Sequence, residues 1–365
     1  MIENIFKRAV FVSDKELLSE KLKNPENLKV LVDFNFDTED FHLGHWMILS
    51  KLKELIKYGT EVNIVLNDFI LGLNHLGSYY KNFSDKLNSI FSAGKFSVLS
   101  SREVLKSKET KDLLTPAALT NIRNLLKIDF IKERSDVSKD TIGLSEFLEQ
   151  LIPPMVYLEV EPDIILCGEN KGFYIDLAIE LFRTYEKPPP VGIVFPLLTG
   201  KNGESKMSFK NDNAINIEES GVNLFNQIHQ IPDSQVLDYF RLLTLFSDNR
   251  IAEIEGRMPA ASDRELVQIK NDLAKEIVRS LGKDTEAMHE FKLNRSELKN
   301  GKIWIVRLLE LAELVQSRGE GKRLVKHGGI KVNNKRIEDP DQELQIEDGA
   351  ILSKGKKIKI KITLL

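Results

Sequence analysis

Two histidines three apart, in His42-Leu43-Gly44-His45, are the residues of this chain best suited to chemistry. They fall where an apolar, strand-like run, LKVLVDF (28–34), gives way to a helical pattern. In an open α/β sheet, ligands gather just beyond the carboxyl ends of the strands. A helix that begins there offers unpaired N–H groups and a partial positive charge to phosphate. Residues three apart share one face of the first turn, so both imidazoles can address one cluster of oxygens. Gly44 leaves that face bare, with room for a base and ribose against the backbone. The plainer alternative is two surface histidines at a helix start. A zinc site would need a third ligand, and none is obvious.

The second candidate is Lys206-Met207-Ser208-Phe209-Lys210, in the loop TGKNGESKMSFKND after the apolar run VGIVFPLL (191–198). A flexible lysine loop can close over a triphosphate and neutralise charge that builds during displacement at the α-phosphorus. Alone, it reads as a solvated charged loop. Its place on the same sheet as the histidine pair favours the nucleotide reading.

These residues need a scaffold, and the hydrophobic pattern supplies one. Leu43, Trp46, Leu49, Leu52, Leu55 and Ile56 recur at three- and four-residue steps, which predicts one buried helix face. Gly59 is placed to cap that helix, and EVNIVL (61–66) reads as the next strand. Strand, helix, strand implies a parallel sheet covered by helices. The sheet resumes with strand PDIILC (162–167), helix GENKGFYIDLAIELFRTY (168–185) and strand 191–198. Residues 70–160 read as a largely helical insertion between its halves, and residues 1–27 as polar and helical. From 216 to about 295 the pattern is helical almost throughout. The tail reads as an amphipathic helix over 303–316, a short basic helix over 321–329, a strand–turn–strand at KVNNKRI and an end strand over 358–365. The fold class expected is α/β: a Rossmann-like parallel-sheet catalytic domain over 1–215, an all-α domain over 216–302 and a small α+β domain over 303–365.

Composition narrows the function classes. The 365 residues are 42% apolar and 29% charged, with a formal charge of −3, as expected of a folded soluble chain. No apolar run approaches the roughly 20 residues a membrane helix needs, and the N-terminus lacks the apolar stretch of a signal peptide. A cytoplasmic location is the expectation. Cys167 is the only cysteine, which excludes an internal disulfide and a cysteine zinc site. Residues 303–365 carry 13 basic and 9 acidic side chains, while the rest carries 39 and 46. A basic module on an acidic body suits contact with a phosphate backbone.

HLGH followed by KMS resembles the signature pair of the class I aminoacyl-tRNA synthetases. PLLTGKNGESKMSFKNDNAINI is similar to the corresponding loop of tyrosyl-tRNA synthetases, and IPDSQVLDYFRLLT (231–244) to the start of their helical domain. The tail SRGEGKRLVKHGGIKVNNKRIEDPDQEL resembles an S4 RNA-binding domain. The resemblance implies a two-step ligase. ATP and an amino acid give aminoacyl-adenylate and pyrophosphate, and the aminoacyl group then passes to tRNA. It implies phosphate stabilisation by His42 and His45, and by Lys206 on the pyrophosphate side. Asp37, Gly44, Asn170, Met207, Ser208 and Lys210 would lie near ATP. Magnesium would arrive with the triphosphate, no protein metal site being visible, and a homodimer would form through the insertion. Within an S4-like tail, Lys322, Arg323, Lys326, Lys331, Lys335 and Arg336 are expected to meet RNA. His229, His289 and His327 read as structural or surface residues, Trp46 and Trp304 as core.

The departures from that family cluster in the amino-acid pocket. Asp33 stands where tyrosyl enzymes carry a tyrosine that meets the substrate phenol. Glu149, Pro153 and Val156 replace their Tyr-x-x-x-Gln-x-x-Asp, His75 falls near a family aspartate, and Lys171 replaces a glutamine. Phe209 takes the place of the second lysine of the loop motif. Val156 offers no hydrogen bond; Asp33 can accept one or pair with a cation; Glu149 can hold an α-ammonium and Lys171 face a carboxylate. Three readings follow: a tyrosyl-type ligase with a divergent pocket, a paralogue activating another amino acid for a specialised acceptor, or a non-catalytic RNA-binding protein.

Overall fold

The computed structural model describes residues 2–34, 40–69, 76–91, 95–128, 131, 143–283, 287–299, 301–315, 317–333, 335–355 and 358–365. Two compact units emerge: Met1–Glu218 with Gln227–Leu273, and Glu219–Asn226 with Ala274–Leu365. The stretch over 216–302 is divided between these two units.

The first unit is built on a six-stranded sheet. Its strands are β1 (Phe11–Val12), β2 (Lys29–Phe34), β3 (Glu61–Leu66), β4 (Phe96–Ser100), β5 (Ile164–Gly168) and β6 (Val191–Phe195), in the order β1-β6-β5-β2-β3-β4. All neighbours are parallel except β1, which pairs antiparallel with β6 at the edge. Parallel strands are covered on both faces and so need continuous apolar sequence. KVLVDF, EVNIVL and VGIVF meet that demand, with every residue after the first of β2 and β3 buried. Helix α1 (Leu43–Lys57) connects β2 to β3 and buries Leu43, Trp46, Leu49, Leu52 and Leu55, the predicted face. Gly59, at φ +85°, lets the chain turn at its end.

From β2 the chain winds outward through β3 to β4, and from β5 outward the other way to β6. The gap between β2 and β5 is therefore the topological switch point, where open α/β sheets bind ligands. Two further helices flank it: α2 (Ile152–Val160) before β5, and α3 (Gly172–Thr184) after it. They pack Met155, Val156, Ile175, Leu177 and Leu181 into one core with Ile165 of β5.

Two sequence expectations change here. The span 70–160 contains β4, so the sheet continues into it before the helical portion begins. Residues 1–27 are not simply helical: they supply β1 beside a short helix, Lys15–Lys21.

The second unit holds a five-stranded sheet in the order β10-β9-β12-β13-β7. These are β7 (Ala287–Leu293), β9 (Ile330–Val332), β10 (Lys335–Ile337), β12 (Ile351–Lys354) and β13 (Ile358–Leu364); β8 (Lys302–Trp304) pairs separately with β11 (Glu343–Gln345). Helices α4 (Ile305–Leu311) and α5 (Arg318–Lys326) join this sheet around Val306, Leu309, Val325, Ile330, Leu352 and Ile362. The amphipathic helix expected over 303–316 is thus a strand end followed by a shorter helix. His289 lies in β7, a strand inside the stretch read as helical. The hairpin β9–β10 turns at Asn333, at φ 48°, as its sequence predicts.

Candidate functional site

His42 is the N-cap of α1 and His45 its third residue. They cap each other: the His42 N–H donates to His45 Nδ1 at 3.2 Å, and the His45 N–H to His42 Nδ1 at 3.3 Å. The rings stack with centroids 3.8 Å apart. With both Nδ1 atoms accepting, each neutral ring carries its proton on Nε2. The pair therefore carries two Nε2–H donors at the start of a helix. Burial holds His45 well below the usual histidine range, and positive charge on His42 and Lys171 adds to the effect. His45 is accordingly a neutral donor at physiological pH. A Cβ on Gly44 would come within 2.9 Å of the His42 ring, so the bare face foreseen at Gly44 is the surface against which that ring lies.

The lysine loop meets this helix start. Leu43 N–H donates to the Ile215 carbonyl at 3.1 Å, and Phe209 packs on the His42 ring with centroids 5.4 Å apart. The aromatic that replaces the family's second lysine thus lies against the imidazole pair. Met207 is buried, and its N–H donates to Leu198 O at 2.8 Å. Lys206 pairs by a β-bridge with Thr199, and Lys210 N–H donates to Ser208 Oγ at 3.1 Å.

Asn213, which no sequence pattern singled out, organises the loop. Its Oδ1 accepts from Ser208 N–H at 2.8 Å. Its amide N–H groups face Ser205 Oγ at 3.0 Å, Lys206 O at 3.1 Å and Asn202 Oδ1 at 3.3 Å. It is 1% exposed, and a Cβ on Gly200 would fall 2.2 Å from its Cγ, so only glycine fits there. Asn213→Ala is expected to slow the adenylate formation that the resemblance implies on the order of 100-fold by releasing the loop from its geometry. Stability should fall by only about 1–3 kcal/mol for the groups left unpaired. Single-turnover rates and a denaturation curve measure the two effects separately.

Deeper, at the switch point, lies a buried polar cluster. Lys171 Nζ stands 2.7 Å from Asp33 Oδ1 and donates to the Asp33 carbonyl at 2.8 Å. Tyr157 OH donates to Asp33 Oδ2 at 2.9 Å. Asp33 Oδ1 faces the ammonium without a hydrogen bond of good geometry. Tyr174 OH donates to Gln150 Oε1 at 2.5 Å. Burial, and then the Asp33 charge, keep both tyrosines protonated far above neutrality. Glu149 is half-buried; burial and the neighbouring Glu146 raise its carboxyl above the usual range. Burial also pushes the Cys167 thiol up to about 12, which leaves it inert.

The structure brings His42, Gly44, His45 and Phe209 together at the helix start, with Met207 and Ser208 in the loop that carries Phe209, and pairs Asp33 with Lys171. Asn170 sits in the turn after β5, its Oδ1 close over Gly168. Of the remaining pocket candidates, Pro153 and Val156 are buried on α2, and Val156 belongs to the apolar core. Tyr157, one residue on, is the side chain that reaches Asp33. Asp37 and His75 lie outside the described residues.

In the second unit the six basic candidates are all exposed. Lys322 pairs with Asp341 at 2.8 Å and Arg336 with Glu338 at 3.3 Å. Arg323, Lys326, Lys331 and Lys335 form no ion pair among the described residues. Trp304, expected in the core, is half-buried. Its indole donates to Pro340 O at 2.8 Å, and its ring faces Lys322 at 5.5 Å and Arg318 at 6.0 Å.

Comparison with known proteins gives this geometry a context. Residues 36–293 match the family model of tRNA synthetases class I (W and Y), and residues 303–349 match the S4 domain. The chain is 25% identical over 369 residues to the tyrosine–tRNA ligase of Moorella thermoacetica, covering 93% of this chain and 89% of that one. It is 27% identical over 376 residues to that of Geobacter metallireducens, covering 94% and 92%. Its fold is similar to tyrosyl-tRNA synthetase from Archaeoglobus fulgidus, solved in complex with L-tyrosine, at TM-score 0.60 and 16% identity, over 77% of this chain and 97% of that one. The structure from Aeropyrum pernix matches at the same score and identity, over 77% and 92%.

Proposed function

The chain belongs to the tRNA synthetases class I (W and Y), and from that membership we propose how its residues divide the work of the reaction. It is a class I aminoacyl-tRNA ligase of tyrosyl type with an S4 domain, which activates an amino acid with ATP and charges tRNA. The observation that carries the assignment of the site is the convergence of the α1 start and the lysine loop, with Phe209 on His42 at 5.4 Å. The Nε2–H groups of His42 and His45 hold phosphate oxygens of ATP, and Lys206 neutralises the pyrophosphate side as the amino-acid carboxylate attacks the α-phosphorus. Asn170 meets the ribose, and Ser208 and Lys210 complete the phosphate cradle. Positioning and electrostatics supply the rate; no covalent intermediate on the protein is needed.

No group of three or more His, Cys, Asp or Glu side chains suited to a metal occurs among the described residues. Magnesium enters with the triphosphate, held mainly by the phosphates as it commonly is. Leu114, Ile122, Leu126, Leu144 and Leu148 are exposed in the helical insertion. They support pairing with a second copy there. The protein acts in the cytoplasm.

ATP–pyrophosphate exchange with purified chain tests the reading. Exchange that depends on an amino acid, followed by charging of tRNA, is the expected result; ATP binding with no exchange for any amino acid would refute it.

The S4-like unit binds tRNA backbone through Arg323, Lys326, Lys331 and Lys335, with Lys322 and Arg336 at the margin. Such contacts position RNA and weaken with salt. Changing Lys322, Arg323 and Lys326 together to Gln is expected to weaken tRNA binding roughly 10-fold or more and to flatten its dependence on salt. Adenylate formation should be unchanged. Filter binding over a salt series, beside an exchange assay, checks both; parallel loss of the two would contradict the assignment.

A further inference from the structure

The C-terminal end of the lysine loop is tied to the start of α1 by a short antiparallel pairing. Leu43 N–H donates to Ile215 O at 3.1 Å, Ile217 N–H donates to Phe41 O at 2.9 Å, and His42 is bridged to Asn216 between them. So short a link is marginal, since even an isolated two-stranded hairpin is barely stable in water. The same register places Asp40 opposite Glu218. Like charges directly opposite each other destabilise a strand pair. Lys86, from the helix Leu76–Phe91, stands at that end of the link. Its Nζ lies 2.6 Å from Asp40 Oδ1 and 2.7 Å from Glu218 Oε1, and its side chain is 25% exposed. Burial works against the charged lysine, but its hydrogen bonds to Asp40 and Glu218 outweigh this and hold the ammonium above the usual lysine range. Three residues earlier on the same helix face, the buried Phe83 packs on Phe41 with ring centroids 5.3 Å apart. Phe41 in turn meets the His45 ring edge-on at 5.8 Å.

Resting on the ligase reading, we propose that Lys86 is a positioning residue: it fastens the lysine loop to the imidazole pair by neutralising two carboxylates that would otherwise push the link apart. Asn213 shapes the loop from within. Lys86 sets where the shaped loop sits relative to His42. It acts through Asp40 and Glu218 and touches no reacting atom in this role. Adenylate formation needs Lys206 and the imidazoles to reach one triphosphate together, and a misplacement of about 1 Å can slow such a step about 100-fold.

Amide hydrogen exchange and ATP–pyrophosphate exchange, both on the full chain, test this. Lys86→Met is expected to speed amide exchange at Leu43 and Ile217 by about 10-fold or more, while the interior of α1 keeps its protection. With tyrosine as the amino acid, the same variant is expected to lower kcat by about 30-fold and to leave KM for ATP and tyrosine within about threefold. A lysine that only supported the fold would shift the denaturation midpoint and leave kcat of the folded enzyme unchanged. Lys86→Met/Glu218→Gln has no opposed carboxylates and is expected to run at least about threefold faster than Lys86→Met alone. Unchanged amide exchange at Leu43 and Ile217 would overturn the inference. So would an unchanged kcat, or a double variant no faster than the single one. Lys86→Gln, expected to act in the same direction, decides the matter if the methionine variant does not fold. No pyrophosphate exchange by the unaltered chain with any amino acid would count against the ligase reading; the amide measurement needs no activity and still decides whether Lys86 fastens the loop.

Discussion

Lys171→Met is expected to lower the stability of the first unit by about 3–5 kcal/mol, read as a shift in the denaturation midpoint at constant slope. The lysine is 4% exposed, and its ammonium is the only cation paired with Asp33 among the described residues. Without it a carboxylate remains in a central parallel strand, with one tyrosine hydroxyl for company. Lys171→Met/Asp33→Leu removes both charges and is expected to recover most of the loss, since apolar pairs of similar volume often match or exceed a buried ion pair. By contrast, Lys106–Glu103 lies on the surface at 3.3 Å, and breaking it should cost no more than about 1 kcal/mol. Equal penalties for the two lysines would show that the buried pair is not isolated from solvent as described.

His45→Asn is expected to slow adenylate formation by about 10²–10³-fold, the range for loss of one preorganised donor to developing charge. Asparagine places its Oδ1 near the position of Nδ1, so it still accepts from the His42 N–H and the cap survives. It has no group where Nε2–H stood. His45 also leaves a signature in acid. Its folded-state value is depressed, so between that value and about 6.5 the unfolded chain binds the extra proton and the folded chain does not. Stability contributed this way is present above about 6.5 and declines as pH falls below it. The variant should show a shallower decline over that window, and comparison of its denaturation midpoints with those of the unaltered chain measures this. A rate within threefold of the unaltered chain would remove His45 from the chemistry.

What could be read in the sequence was what is local. The strand at 29–34 and the helix at 43–57 are decided by their own apolar spacing, and the histidine pair is fixed by the turn that joins them. The lysine loop announced itself for the same reason. The strand Phe96–Ser100 did not, because its residues are only partly buried at the sheet edge and so lack a strong alternation. Ala287–Leu293 is a strand because of a partner far along the chain, and its own composition gives no such sign. The Asp33–Lys171 pair is hidden in the same way: 138 residues separate its members, and only the strand order brings them together. Tyr157 rather than Val156 meets Asp33 because a helix turns about 100° per residue, so a pattern match along the sequence does not settle which of two neighbours faces inward. Trp304 looked like core because it borders an apolar helix; the strand that ends on it leaves its ring beside two cations.

The parallel pairing of β7 with β13 joins Ala287 to Ile358 and Leu293 to Leu364. β7 must wait for a strand made some 70 residues later, while other strands and helices of the unit emerge between them. Local contacts can form on the ribosome as they appear, but this one cannot, and long-range strand closure is the slow step of folding. Until residue 364 is clear of the exit tunnel, β7 has no partner and presents an open edge to other nascent chains. The sheet of the second unit therefore closes only after that of the first has been synthesised in full.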